Sequence, residues 1–382
     1  MIVQTTLGPV AGITGPQGRA WLGIPFAEPP LGPLRFQAPR PPKPWSEARD
    51  CTRAGKPAVQ FTLPGAPMPD ETVGDEDCLT LNIWRCAGEA QGLPVLVWVH
   101  GGGFVVGSGS FFDGASLAVA TGCVIVTLNY RLGPLGFLHP GVESERFDAN
   151  PALLDIVAAL RFVSDNIAAF GGDRDAVTIF GESAGAMLIG TLLAMPAAAG
   201  LFGAAALFSG AGSNIHTAAR AADIFAHFCE SMDSASPDAL ATAPVAQLRK
   251  AAAATNSLST VRPWNSEAFL PVIDGSILSD DPLAVVARGQ GLKVPLLLST
   301  LRDEMALFVQ RVPSLCDGKE VYGRATLGDD AWQRLEEGYR GLPATPAGPR
   351  CDLLTDAMFA MPATRLAEFH AAAGGTCRMM RI

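Results

Sequence analysis

The stretch that most restricts the possible folds of this chain runs from Val177 to Met195. Val177-Thr178-Ile179-Phe180 is a short apolar run suited to a buried strand. Gly181-Glu182-Ser183-Ala184-Gly185 follows directly, and Ala184 to Met195 is a helix-forming stretch. Strand, abrupt turn and helix in that order, with serine at the apex, is the pattern of a nucleophile elbow. Its glycines are needed because Cβ atoms there would collide with the strand and the helix, while the Ser183 hydroxyl must project into an open site. A G-x-S-x-G match in a chain with 41 glycines has limited weight alone. A second segment adds to it. The run Pro94-Val95-Leu96-Val97-Trp98-Val99 leads into His100-Gly101-Gly102-Gly103-Phe104, and consecutive glycines after a buried strand leave backbone N–H groups uncovered, as an oxyanion hole requires. An isolated Gly-Gly-Gly reads as a flexible turn; paired with the elbow, it reads as the anion-binding half of a site for acyl transfer.

The 382 residues, 48% hydrophobic and 17% charged, suffice for a large core. A net charge of −9 and a pI near 5.1 argue against nucleic acid or anionic membrane as partners, since both require a concentrated basic surface. A small apolar ligand suits this balance better. The N-terminus lacks the basic and apolar regions of a signal peptide, so a cytoplasmic location is expected. The uncharged stretch from Ser183 to Ile215 is long enough to span a bilayer, yet it contains Pro196 and several glycines and starts at the elbow, so a buried helix followed by a buried strand is expected instead. Eight dispersed cysteines show no metal-ligand spacing, and neither a metal nor a cofactor is expected. A Cys51–Cys78 disulfide would fit geometrically but lacks a secretory context.

Short apolar runs alternate with helical periodicity, the signature of an α/β fold with a mostly parallel central sheet covered by helices on both faces. The expected strands are Leu79 to Trp84, Pro94 to Val99, Cys123 to Asn129, Val177 to Phe180, Ala204 to Phe208, Val294 to Ser299 and Cys377 to Ile382. A helix is expected from Asn150 as N-cap and Pro151, with Leu153, Val157, Leu160, Val163 and Ile167 on one face, to Gly171-Gly172. The proline density of the first 60 residues predicts a surface wrap with a small β element and no regular central strand. Residues 211–290, alanine-rich, are expected to form a helical insertion or cap beside the site.

Several collinear segments carry a resemblance that extends over the whole chain: Leu22-Gly23-Ile24-Pro25-Phe26-Ala27, Gly32-Pro33-Leu34-Arg35-Phe36, Glu76-Asp77-Cys78-Leu79-Thr80-Leu81-Asn82, Asn129-Tyr130-Arg131-Leu132-Gly133 and Phe170-Gly171-Gly172-Asp173. With them the chain resembles the type-B carboxylesterases of the α/β-hydrolase fold, the group that includes bacterial para-nitrobenzyl esterases and the cholinesterases. The resemblance implies a single domain over 1–382, hydrolysis of small apolar esters, Ser183 as nucleophile, and Gly102, Gly103 and Ala184 as oxyanion donors. It implies Glu304 as the triad acid, with Asp303 as rival, although Met305 stands where the family usually has glycine. Arg35 with Glu76 and Arg131 with Asp155 are implied as structural ion pairs. Ala58 stands where many eukaryotic relatives carry a cysteine, which implies that Cys78 is a free thiol.

A serine nucleophile needs a base. Of His100, His139, His216, His227 and His370, only His370 satisfies the chain order serine, acid, histidine. It lies within a helical run, Leu353 to Ala373, and reads chiefly as a packing residue, while the family places its catalytic histidine on a loop beyond the following strand. The resemblance therefore leaves two readings, an esterase shortened at its C-terminus, with hydrolysis impaired, or a relative that has lost hydrolysis. The alternatives are a non-catalytic cholinesterase-like binding protein and an amidase or lactamase on the same fold. Oligomeric state is not readable.

Overall fold

A computed structural model describes residues 1–63, 70, 73–232, 237–259, 261–262, 267–343 and 346–382. Its strands are β1 (Ile2–Gln4), β2 (Pro9–Ala11), β3 (Ile13–Gly15), β4 (Gly18–Pro25), β5 (Arg49–Asp50), β6 (Thr80–Arg85), β7 (Leu93–Val99), β8 (Val124–Leu128), β9 (Gly172–Glu182), β10 (Ala204–Phe208), β11 (His216–Thr217), β12 (Val272–Ile273), β13 (Leu296–Thr300) and β14 (Cys377–Arg381). The helices fall into three groups. α1 (Gly114–Thr121), α2 (Gly133–Phe137), α3 (Pro151–Asn166) and α4 (Ala184–Leu192) alternate with the central strands. α5 (Ala218–Ser231), α6 (Pro237–Thr242), α7 (Val245–Leu258) and α8 (Pro282–Ala287) lie between β10 and β13. α9 (Ala306–Arg311), α10 (Pro313–Leu327), α11 (Asp329–Arg340), α12 (Pro349–Thr355) and α13 (Met361–Ala372) precede β14.

Nine strands form one sheet in the order β14-β13-β10-β9-β7-β8-β6-β4-β3. From β14 to β8 all neighbours are parallel, and from β8 to β3 all are antiparallel. Helices cover both faces. The parallel strands read as nearly continuous apolar runs because both of their faces are buried: all five residues of β8 are buried, and Val95, Val97, Val99, Ile179, Leu207 and Leu298 form the middle of the core. The chain leaves β7 toward β8 on one side, whereas β9 pairs on the other side of β7 and leads to β10. The strand order thus reverses at β7/β9, and in an open α/β sheet such a reversal opens a crevice at the strands' C-terminal ends.

The seven strands expected from sequence all occur in this sheet, with ends shifted by a residue or two, except that β9 begins earlier, at Gly172. The N-terminal reading needs correction. β1, β2 and β5 do form a small separate sheet, but β4 belongs to the central one, pairing antiparallel with β6. The proline density begins only at Pro25, the residue that ends β4, so the preceding stretch kept all the N–H groups it needed to pair. Segment 211–290 is mostly helical, with β11 and β12 paired in parallel across it; residues 233–236, 260 and 263–266 of that segment lie outside the described ones.

Asn150 also differs from expectation. It precedes α3 in the left-handed conformation, φ 55°, and its side chain makes no capping bond. Its Nδ2 donates to the Val272 carbonyl at 2.8 Å, and its Oδ1 accepts from the Val272 N–H at 2.7 Å, so it fastens β12 to the sheet domain. The two expected ion pairs are present. Arg35 grips Glu76 at 2.6 Å and donates to the carbonyls of Leu240 and Ala243, and Arg131 meets Asp155 at 2.7 Å in full burial. All eight cysteines are free thiols, Cys51 and Cys78 both buried. Among the described residues, no helix is long and apolar enough to cross a membrane.

Candidate active site

The crevice between β7 and β9 receives both segments singled out in the sequence. Val99 pairs with Gly181, so the loop His100 to Phe104 and the elbow Gly181 to Gly185 leave adjacent strands side by side. Ser183 adopts φ 53°, ψ −124°. A non-glycine residue in that region carries strain of order 1–3 kcal/mol, which persists only where surrounding contacts over-determine it. Here the Ser183 N–H donates to the Phe208 carbonyl at 2.9 Å, and the Ser183 carbonyl accepts from Met187 at 2.9 Å. The residue is pinned between β10 and the first turn of α4, and its side chain is only half-buried.

Close packing keeps the elbow and the glycine loop together. A Cβ on Gly185 would lie 2.1 Å from the Val99 carbonyl oxygen and 2.8 Å from that of His100. Gly185→Ala must therefore displace the backbone of β7 or of α4, and we expect a loss of about 1–3 kcal/mol or more, read as a lower midpoint in urea denaturation. The α-carbon of Gly101 approaches the elbow too, since a Cβ there would fall 3.2 Å from the Cβ of Ser183. Gly102 turns through φ +114°, a conformation that side chains rarely adopt. Among the described residues, no group accepts from the N–H of Gly102, Gly103 or Ala184. Three amide donors of the glycine loop and the elbow thus remain uncommitted, one of them at the N-terminus of α4, where the helix dipole favours negative charge.

Glu304 lies in the turn that follows β13, at the same edge of the sheet. Its Oε1 accepts from the Leu301 N–H at 2.8 Å, and the Met305 N–H is held by Thr355 Oγ1 at 3.1 Å. Partial desolvation of its carboxyl raises the pKa of Glu182, next to the nucleophile, and the negative charge of Glu304 raises it further, although the residue as a whole is exposed. The rival Asp303 pairs through Oδ2 with Arg302 at 2.8 Å, while its buried Oδ1 has no hydrogen-bond partner among the described residues.

The histidines do not converge on the serine. His370, the residue that satisfied chain order, is buried on α13, and its Nε2 lies 2.9 Å from the carbonyl oxygen of Val294, ahead of the N-terminal end of β13. That is the end of the parallel sheet opposite Ser183, so His370 is a packing residue lodged under Gly375. His100 is in the glycine loop, but its ring stacks on Tyr130 at 4.3 Å and its Nδ1 engages the Gly101 carbonyl at 2.8 Å. Burial lowers its pKa to about 4, so it stays neutral. His139 accepts from the Gly141 N–H, buried His216 faces the Glu267 carbonyl, and both nitrogens of His227 face Asp223 and Glu230 on or beside its own helix turn. Among the described residues, no group of three His, Cys, Asp or Glu side chains is placed to hold a metal.

Sequence reading passed over Tyr130 and Glu182. Tyr130 hydroxyl donates to the His100 carbonyl at 2.8 Å and its ring supports the imidazole, fixing the start of the glycine loop. It lies 30 positions away in the chain, so only the packing reveals the role.

Comparison with known proteins gives a consistent result. A family model described as the carboxylesterase family matches residues 1–380. The chain is 42% identical over 317 residues to para-nitrobenzyl esterase of Bacillus subtilis (strain 168), covering 80% of this chain and 63% of that protein. It is 34% identical over 394 residues to human cocaine esterase, covering 92% of this chain and 66% of that protein. A solved structure of PNB esterase superposes with a TM-score of 0.86 at 36% identity, covering the whole of this chain and 79% of its own. The chain thus spans about two thirds of the length of these two relatives.

Proposed function

The chain belongs to the carboxylesterase family, and we propose that it cleaves small-molecule carboxylic esters through an acyl-enzyme on Ser183. The observation that carries this reading is the strained Ser183 on the strand next to the glycine loop, with the N–H groups of Gly102, Gly103 and Ala184 uncommitted. The serine hydroxyl attacks the ester carbonyl carbon, and the negative charge that develops on the carbonyl oxygen is stabilised by the N–H groups of Gly102, Gly103 and Ala184. The alcohol leaves, and water then releases the acid. Glu304 is the acid that would orient an imidazolium, with Glu182 beside it adding negative potential. No cofactor takes part in this scheme.

The base is the member of the triad that the five histidines do not supply. Acylation by this chain is therefore slow until a base is provided. The same observation is what favours the second reading, a non-catalytic binding protein of cholinesterase type. Against it, a binding role places no demand on a strained serine or on a row of open donors. A fluorophosphonate probe, with imidazole added as the missing base, decides between them: it is expected to label Ser183, located by peptide mass spectrometry, and Ser183→Ala is expected to remain unlabelled. A folded wild-type chain that stays unmodified with imidazole present would remove the acyl-enzyme reading.

A further inference from the structure

A cavity of about 300 Å³ lies among α10, α11, α12 and α13 and the loop after β10. Its walls lead back to the two acyl-transfer residues. Ser213 and Asn214 line it, and they follow Gly210, whose α-carbon lies against the Ser183 carbonyl: a Cβ there would be 2.7 Å from that oxygen. On the other side Leu354 lines it, one residue from Thr355, which holds the N–H of Met305 beside Glu304. The cavity thus sits at the C-terminal edge of the sheet, against the segment that follows β10 and next to the helix that holds the turn after β13.

Its lining is unusual for a protein of net charge −9. Trp332, Leu327, Leu354, Met358 and Pro362 form an apolar body, but two cations, Lys319 and Arg365, join them, and among the described lining residues there is no carboxylate. Arg365 is exposed at the rim, whereas the Lys319 side chain is 3% exposed. Lys319 Nζ lies 3.6 Å from Glu267 Oε2, the oxygen that also accepts from Asn214 Nδ2 at 3.3 Å. The ammonium is thereby located against the Asn214 wall. An ammonium withdrawn from water is costly and is retained where anions compensate it. Glu267 compensates one charge, which leaves the cavity with the positive excess of Arg365.

We propose that this cavity is a subsite for a carboxylate, and that the esters cleaved at Ser183 include half-esters of short dicarboxylic acids, with the free carboxylate seated between Lys319 and Arg365. This rests on the acyl-transfer reading of Ser183 and replaces the expectation of wholly apolar esters. The apolar walls take the methylene chain, Arg365 offers a two-pronged donor to the carboxylate, and Ser183 is reached by the esterified end.

Glutarate, titrated calorimetrically into the chain, tests the subsite without requiring turnover, with glutaramide as the neutral match. Glutarate is expected to bind, and glutaramide at least about tenfold more weakly, the equivalent of one lost charge-assisted hydrogen bond. Arg365→Gln, on an exposed helix face, is expected to weaken glutarate by about the same factor. Because Lys319→Met alone would strand Glu267 in the interior, the second variant is Lys319→Met/Glu267→Gln, with the same weakening expected. Equal affinity for both ligands, equal affinity across the variants, or no binding to folded wild type would overturn the subsite. Glutarate is also expected to slow fluorophosphonate labelling of Ser183; binding without such protection would overturn its link to the crevice. Labelling without any glutarate binding would sink the subsite alone and leave the acyl-enzyme reading standing.

Discussion

Turnover of p-nitrophenyl acetate by this chain is expected to fall on the order of a million-fold below that of a complete serine triad, and Ser183→Ala is expected to change it little. The reason is non-additivity: removing the base from a serine triad costs about as much as removing the serine as well, since the hydroxyl without its base is a weak nucleophile. Here His370 is tied to Val294 at the far end of the sheet and His100 is stacked on Tyr130 and neutral, so Ser183 Oγ keeps its proton. Imidazole added to solution is a base that needs no tether. It is expected to raise the protein-dependent rate in proportion to its concentration, after subtraction of its own reaction with the ester, in wild type and not in Ser183→Ala. The rise should follow the neutral form of imidazole, growing as pH increases through 7. An ordinary turnover of about 1–10³ s⁻¹ without added base would mean that an imidazole reaches Ser183, and the geometry assigned to the five histidines would be wrong.

The elbow and the glycine loop were legible because their parts are local. The elbow needs a strand, a turn with small residues and a helix within twenty positions, and the glycine loop is a run of glycines directly after a strand; both are patterns of neighbours in sequence. The central parallel strands were equally readable, since burial on both faces leaves continuous apolar runs such as Val124-Ile125-Val126-Thr127-Leu128. What was hidden depends on contacts between distant segments. Asn150 has the composition and position of a helix cap, but Val272, 122 positions away, competes for both ends of its amide and wins. Strand β4 was lost to the prolines that follow it, because proline forbids pairing only at its own N–H and not in the residues before it. His370 satisfied a rule of chain order, yet order carries no information about which end of a sheet a helix packs against. Glu304 was reached through family resemblance; from the residues alone, an acid after a strand is one of several.

Arg131→Met is expected to destabilise the fold by about 3–5 kcal/mol, more than any single change in the crevice. Its guanidinium makes two parallel bonds to Asp155, Nε to Oδ2 at 2.8 Å and Nη2 to Oδ1 at 2.7 Å, and the side chains are 2% and 0% exposed. Removing the cation leaves a carboxylate in the interior with no compensating charge, which is far costlier than the pair itself is favourable. Arg131 also ties three segments together. Its Nη1 donates to the carbonyls of Arg35 and Gln37 in the proline-rich wrap, while Asp155 sits on α3 and also accepts from the Arg131 N–H at 3.1 Å. The double variant Arg131→Met/Asp155→Leu removes the stranded charge but not the loss at the wrap. It is therefore expected to recover part of the deficit, ending about 1–3 kcal/mol below wild type, the cost of the orphaned carbonyls. Urea denaturation of the three proteins reads these differences, with fluorophosphonate labelling of Ser183 in the folded fraction unchanged in both variants. A double variant no more stable than Arg131→Met would mean that the wrap contacts, and not the buried charge, dominate the effect.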